Sequence, residues 1–227
     1  MESLYPFQDG ILKIVRELNL PFYLTGGTAL SRHYFNHRYS DDIDLFVNDD
    51  PGFEKYIDVL YAGLEKHASD GVLIIDRKST IRGRMYARFI LGKPGERDVK
   101  LKIDCANDIA AHFGDFEYDE ILGKIDGIRN MLSNKISAVF RYEPKDFADI
   151  WTMSKKVKFH WDVIIEEAKS KEAGTDPSVL NDIMKSFPPD AVMSVKWILS
   201  VDQKEFLRDL HVIADDIFYG RENSLCK

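Results

Sequence analysis

The 227-residue chain is short of cysteine, of basic charge and of long apolar runs. Its two cysteines, Cys105 and Cys226, cannot build a disulfide framework, and their spacing fits no zinc motif. One core thiol and one tail thiol are expected instead. No run approaches the ~18 apolar residues of a membrane span. Met1 to Phe7 carries acidic Glu2 and no apolar h-region, so neither a signal peptide nor a membrane is expected, and the expected location is cytoplasmic. Lys plus Arg (31) fall short of Asp plus Glu (38), and the net charge of -7 argues against a protein that coats nucleic acid by bulk charge. Low-complexity tracts and repeats are absent too. What remains, 44% hydrophobic and 30% charged residues, is the composition of a globular protein of one or two domains with an ample core.

The scarce basic charge is concentrated. Residues 77–102 hold nine Lys and Arg against Glu96 and Asp98, a local excess of seven in an otherwise acidic chain. Such a run is either the solvated face of a hairpin or a surface for phosphates.

Hydrophobic spacing divides the chain. Residues 7–18 read as an amphipathic helix ended by Pro21. Phe22–Leu24 and Ile43–Val47 are strand-like, with the Gly26-Gly27 turn and a helical pattern from Thr28 to Phe35 between them. A helix over Phe53–Leu64 and a short strand over Val72–Ile75 follow. Met85–Leu91 and Val99–Cys105 form a predicted hairpin around Gly92-Lys93-Pro94-Gly95. From about residue 120 strand signals give way to helical periods, including 128–140, 147–153, 161–173, 191–199 and 204–218. A helix is also expected to start at Thr175-Asp176-Pro177. The expected class is α+β, with an α+β domain over 1–120 and an all-helical domain over 121–227.

Asp42 and Asp44 are two apart on a predicted strand, so both carboxylates project to one side. Like charges held that close repel, and a divalent cation removes the conflict, since Mg²⁺ takes one or two carboxylates plus phosphate oxygens and waters. Gly26-Gly27 lets backbone approach a ligand, and the amides of Gly27 and Thr28 at a helix start suit a phosphate. The Thr28 hydroxyl either adds a hydrogen bond or caps the helix. Asp104, late on an alternating strand, is placed to meet the pair across the sheet. Three converging carboxylates suit two-metal phosphoryl or nucleotidyl transfer, with Asp104 as general base. Lys135 falls on the apolar stripe of its helix, where it either snorkels to solvent or meets phosphate in a cleft. An Asp-x-Asp also serves glycosyltransferases, so that alternative stands at this point.

Gly26-Gly27-Thr28-Ala29-Leu30, Arg38-Tyr39-Ser40-Asp41-Asp42-Ile43-Asp44-Leu45-Phe46, Lys135-Ile136-Ser137-Ala138-Val139-Phe140-Arg141 and Lys145-Asp146-Phe147-Ala148-Asp149-Ile150 together carry a family resemblance. They resemble the AbiEii/AbiGii-type nucleotidyltransferases, a polymerase-β-like branch known from abortive-infection and toxin–antitoxin systems. Lys145 stands where Arg is usual. The resemblance covers 24–150 and implies a polymerase-β-like mixed sheet with flanking helices, followed by a helical bundle. It implies an enzyme that moves an NMP from an NTP to an acceptor hydroxyl on tRNA or other RNA, a protein or a small molecule. It also implies that Gly27 and Thr28 hold phosphates, with Arg38 supplying nearby positive charge, and that Asp42 and Asp44 hold Mg²⁺ or Mn²⁺; from the residue pattern, Gly26 joins the expected phosphate contacts and Asp104 the expected metal ligands. Lys135 is expected to contact the triphosphate, and Asp146 to be required for function. Arg82, Arg84 and Arg88 are the expected RNA contacts, and a cognate antitoxin is an expected partner. The non-enzymatic alternative is a silent nucleotide-binding or antitoxin-partner protein.

Overall fold

The computed structural model describes residues 4–227. Met1–Ser3, and with them the Glu2 of the N-terminal expectation, lie outside the described residues. The described chain forms two compact units. The first runs to Tyr34 and adds Ser40–Ala110 and Phe116–Asp126; the second combines Phe35–Tyr39, Ala111–Asp115 and Gly127–Lys227.

The first unit is a mixed sheet with helices. Helix α1 (Leu4–Glu17) leads to β1 (Tyr23–Thr25), α2 (Gly26–Ala29, continuing as a π-helical stretch over Leu30–Phe35) and β2 (Asp42–Asn48). Helix α3 (Phe53–Ser69) is followed by β3 (Ile74–Ile75), β4 (Ile81–Arg82), β5 (Tyr86–Lys93), β6 (Glu96–Asp108), β7 (Glu117–Asp119) and β8 (Gly123–Ile125). The sheet order is β3-β5-β6-β2-β1-β8-β7, with β4 paired to β5. Strand β2 runs parallel to β6 and antiparallel to β1. The expected 85–105 hairpin forms, closed by Pro94-Gly95 with Gly95 at φ +80°.

Alternation sets the two faces of the sheet. Ile43, Leu45, Phe89, Ile103 and Cys105 are fully or almost fully buried, and Tyr61 of α3 stacks on Phe89 with ring centroids 5.9 Å apart. This core also takes Ile11, Leu12 and Val15 of α1 and Ile57 and Leu60 of α3. Burial raises the pKa of the Cys105 thiol, as a core thiol requires, while Cys226 is partly exposed.

The second unit is helical. It contains α4 (Ile128–Ala138), α5 (Pro144–Lys156), α6 (Trp161–Lys171), α7 (Pro177–Lys185) and α8 (Gln203–Phe218). Its core is aromatic: Trp151, Phe147, Phe187, Trp197 and Phe206 meet tilted or edge to face at centroid distances of 4.6–5.9 Å. Asp176 caps α7 as its sequence announces, its Oδ1 accepting from the Ser178 and Val179 amides at 2.9 and 3.3 Å. No helix among the described residues is long and apolar enough to cross a membrane.

Two expectations fail. Strands β7 and β8 lie where strand signals in the sequence give way to helical periods. They are three residues each, too short for alternation to register, and Gly123 at φ +86° opens β8. Residues 191–199 form no α-helix: Pro189–Ser194 is a 3₁₀ stretch, and the chain then extends beside 37–39. There the Tyr39 amide donates to Lys196 O and the Ile198 amide to His37 O, which competes successfully with helical bonding.

Candidate active site

Asp42 and Asp44 alternate along β2 with buried Ile43, Leu45 and Val47, so both carboxylates stand on the half-exposed face. Parallel pairing with β6 sets Asp104 directly opposite Asp44, and Lys102 opposite Asp42. On β5 the same face carries Tyr86 and Arg88, with Arg88 opposite Asp104.

Gly26, at φ +68°, turns the chain out of β1 into α2. A side-chain carbon on Gly26 would come within 2.5 Å of Asp44 Oδ2, so the turn and the carboxylate touch. The fully buried Thr28 hydroxyl donates to the Asp42 carbonyl and lies 2.8 Å from Ser40 Oγ. That hydroxyl therefore ties α2 to the start of β2. Opposite Asp44 in β1, the Thr25 hydroxyl donates to buried Asp126 at 2.6 Å, a second tether that sequence spacing did not single out.

Asp104 is heavily engaged. Arg88 donates Nε to its Oδ1 at 2.7 Å and Nη2 to its Oδ2 at 3.1 Å, the Tyr86 hydroxyl donates at 2.6 Å, and Lys102 Nζ donates at 3.0 Å. Lys102 Nζ also lies 3.0 Å from Asp42 Oδ2. Burial works to raise the Asp104 pKa, but Arg88, Tyr86 and Lys102 outweigh it and hold the carboxyl below the usual range. Burial likewise works against the Lys102 ammonium, and Asp42 and Asp104 more than offset it. Among the described residues no three His, Cys, Asp or Glu side chains converge as a metal cage. Asp104 thus reaches the expected face and register, but its oxygens are committed to cations of the chain itself. Lys102 and Tyr86 were missed as site residues; the signal was the two-residue period they share with Asp104 and Arg88.

The other candidate residues lie in the second unit. Arg38 is almost fully buried and grips Asp149 in a two-pronged pair, Nε to Oδ1 and Nη2 to Oδ2, both at 2.7 Å. Lys135 Nζ lies 2.6 Å from Asp146 Oδ1 and 2.7 Å from Asp149 Oδ2. His37 Nε2 meets Asp149 Oδ1 at 2.8 Å, and Arg141 Nη2 donates to Asp146 Oδ2 at 2.8 Å. Burial pulls the Lys135 pKa down, yet Asp149 and Asp146 raise it overall; Asp149 is held well below the carboxylate range despite burial, by Lys135 and Arg38. The Lys does not snorkel. It and Arg38 are closed into one buried charge network.

Part of the basic stretch is paired as well. Arg82 pairs with Asp58 at 3.3 Å and lies over the Tyr61 ring; Arg84 faces Glu54 at 3.6 Å; Arg77 pairs with Glu65 at 3.3 Å. Acidic residues of α3 thus offset part of the local excess.

Residues 12–216 match the family model described as "Nucleotidyl transferase AbiEii toxin, Type IV TA system". The chain belongs to that family. It is a nucleotidyltransferase of the AbiEii toxin type, and the glycosyltransferase and silent-protein alternatives are set aside. Solved structures share the fold. A Helicobacter pylori protein described as a nucleotidyltransferase superposes with a TM-score of 0.62 at 17% identity, over 96% of each chain. JHP933 from Helicobacter pylori gives 0.60 at 18%, over 96% of this chain and 91% of that one. MenT4, a nucleotidyltransferase toxin from Mycobacterium tuberculosis H37Rv, gives 0.59 at 14%, over 92% and 81%. No curated protein sequence matches the chain.

Within this family member, Gly26→Ala is expected to lower transferase activity about a hundredfold, the scale of a ~1 Å misplacement of a reacting group. The added methyl strains a positive-φ position and must push Asp44 aside. Initial-rate assays beside a thermal melt would separate this loss from unfolding; unchanged rates would count against the contact.

Proposed function

We propose that the chain is a Mg²⁺- or Mn²⁺-dependent toxin that transfers the NMP of an NTP to an acceptor hydroxyl. The observation that carries this is the pair Asp42 and Asp44 on one sheet face, with Asp44 seated against the Gly26 turn. Hard carboxylate oxygens suit Mg²⁺, which asks for only one or two of them beside phosphate oxygens and waters. Asp42 and Asp44 meet that demand. When bound, the cation would screen the triphosphate and polarise the reacting phosphoryl group.

The chain's own residues supply the rest. The Gly27 and Thr28 amides, at the start of α2, offer donors to phosphate oxygens. The acceptor oxygen bonds to the α-phosphorus, the bond to the bridging oxygen breaks, pyrophosphate leaves and the hydroxyl proton passes to solvent. Asp104 suits the general-base role poorly, because three donors already hold it ionised. It serves better as the anchor for Arg88 and Lys102. Arg38, Lys135 and Asp146 act through the architecture of the second unit, since their charged groups are paired there.

Incubation with α-labelled NTPs and Mg²⁺, in separate arms with total RNA and with total protein, tests the proposal. Label transfer with pyrophosphate release is expected. The labelled arm identifies the acceptor class, and labelling restricted to protein would remove Arg82, Arg84 and Arg88 as RNA contacts. No transfer in any arm, with each of the four NTPs, would defeat the proposal. Co-expression with the neighbouring gene is expected to relieve any growth arrest if a cognate antitoxin is encoded there.

A further inference from the structure

We propose that Lys102 takes the place of a second divalent cation in this site, so that the enzyme binds one cation, on Asp42 and Asp44, rather than two. The inference rests on the nucleotidyl-transfer assignment and deepens it.

Three carboxylates on one face would ordinarily invite two cations about 3.5–4 Å apart, one of them shared by all three. Here the position between Asp42 and Asp104 is filled from within. Lys102 Nζ lies 3.0 Å from Asp42 Oδ2 and 3.0 Å from Asp104 Oδ2, bridging neighbouring strands as a shared cation would. The bridge is built into the sheet, because the parallel register sets Lys102 beside Asp42 and two residues before Asp104 on the same face. The remaining Asp104 capacity goes to the two-pronged Arg88 pair and to the Tyr86 hydroxyl.

Charge points the same way. Asp42, Asp44 and Asp104 carry three negative charges, and Lys102 and Arg88 return two positive ones. Before nucleotide binds, one divalent cation on Asp42 and Asp44 already inverts the remaining single charge. A second would have to displace Lys102 and sit beside both its ammonium and Arg88. No three acidic, His or Cys side chains converge as a metal cage among the described residues, and Arg88, Tyr86 and Lys102 already engage Asp104. Lys102 then contributes a fixed positive charge between Asp42 and Asp104, with no cation to recruit.

Mn²⁺ titration of the full chain, followed by electron paramagnetic resonance with a non-hydrolysable NTP analogue, tests this by counting bound ions. One Mn²⁺ in total is expected per complex of chain and analogue, and two in Lys102→Met. Lys102→Arg, which keeps the charge, should stay at one. Thermal melts give a second readout: Lys102→Met should melt lower than the parent without cation and recover with Mn²⁺, because the bare Asp42–Asp104 pair repels. Two ions in the parent chain overturn the inference even if Lys102→Met fails to fold. One ion in both the parent and a folded Lys102→Met overturns it as well. No Mn²⁺ bound by either protein defeats the cation-dependent transfer assignment itself, and the inference with it.

Discussion

Asp44→Asn is expected to reduce nucleotidyl transfer by about a thousandfold, the upper range for removing one preorganised electrostatic group from an active site, without loss of the fold. Asn keeps the shape of Asp and its place against Gly26, so the turn from β1 into α2 has no reason to move. What disappears is a charge. Asp44 lies opposite Asp104 and two residues from Asp42, so in the absence of a cation its ionised form faces two like charges that Lys102 and Arg88 offset only in part. The variant should therefore melt at the same temperature as the parent or slightly above it. It should also lose the cation-dependent part of nucleotide binding. This opposition of stability and activity marks a group retained for chemistry rather than packing. Rates measured with labelled NTP, beside calorimetric titration of NTP with and without Mg²⁺, would check both halves. Retention of more than about a tenth of the activity would leave the proposed transition-state role of Asp44 without support.

Asp149→Ala is expected to cost about 3–5 kcal/mol, the usual penalty for breaking a buried ion pair from one side. Arg38, Lys135 and His37 all direct nitrogen atoms at this one carboxylate, which is completely inaccessible to water. Its removal leaves two cations buried with less than their full complement of acceptors. Arg77→Ala, by contrast, removes an exposed pair with Glu65 and should stay within about 0.5 kcal/mol of the parent. Urea unfolding of the three proteins would rank them. The network also has a pH signature. Asp149 is held below its unfolded carboxyl value, so its stabilising contribution is fully present above that value, about pH 3.9. The contribution is lost as pH falls from there through the lower folded value. Acid unfolding of the parent should thus be steep in that range, and shallower in Asp149→Ala.

Much of this molecule was legible in its residues. The two-residue period of β2 predicts both the buried Ile43 and Leu45 and the shared face of Asp42 and Asp44. The same period places Asp104, and its register opposite Asp44 follows once β2 and β6 pair. Asp176 and Pro177 announce the α7 terminus because capping is local chemistry. Long-range features were not legible. Nothing in residues 77–102 says which carboxylates face the basic side chains; α3 and Asp104 supply them only after folding. Lys135 reads equally as a phosphate ligand or a snorkelling lysine, because the two carboxylates that claim it lie 11 and 14 residues further along and meet it only across packed helices. Strands β7 and β8 owe their conformation to the neighbours they bond, not to their three-residue segments.

Arg38 and Asp149 are 111 residues apart in the chain yet share one buried pair. During translation the guanidinium leaves the ribosome well before the carboxylate that neutralises it, so the helical unit cannot consolidate until α5 has emerged. A fragment made from residues 121–227 would carry Asp149 without Arg38 or His37. Cutting the gene at the apparent change from strand to helix would therefore sever a unit rather than release one, and complementation by a peptide containing 35–39 becomes the natural way to study it.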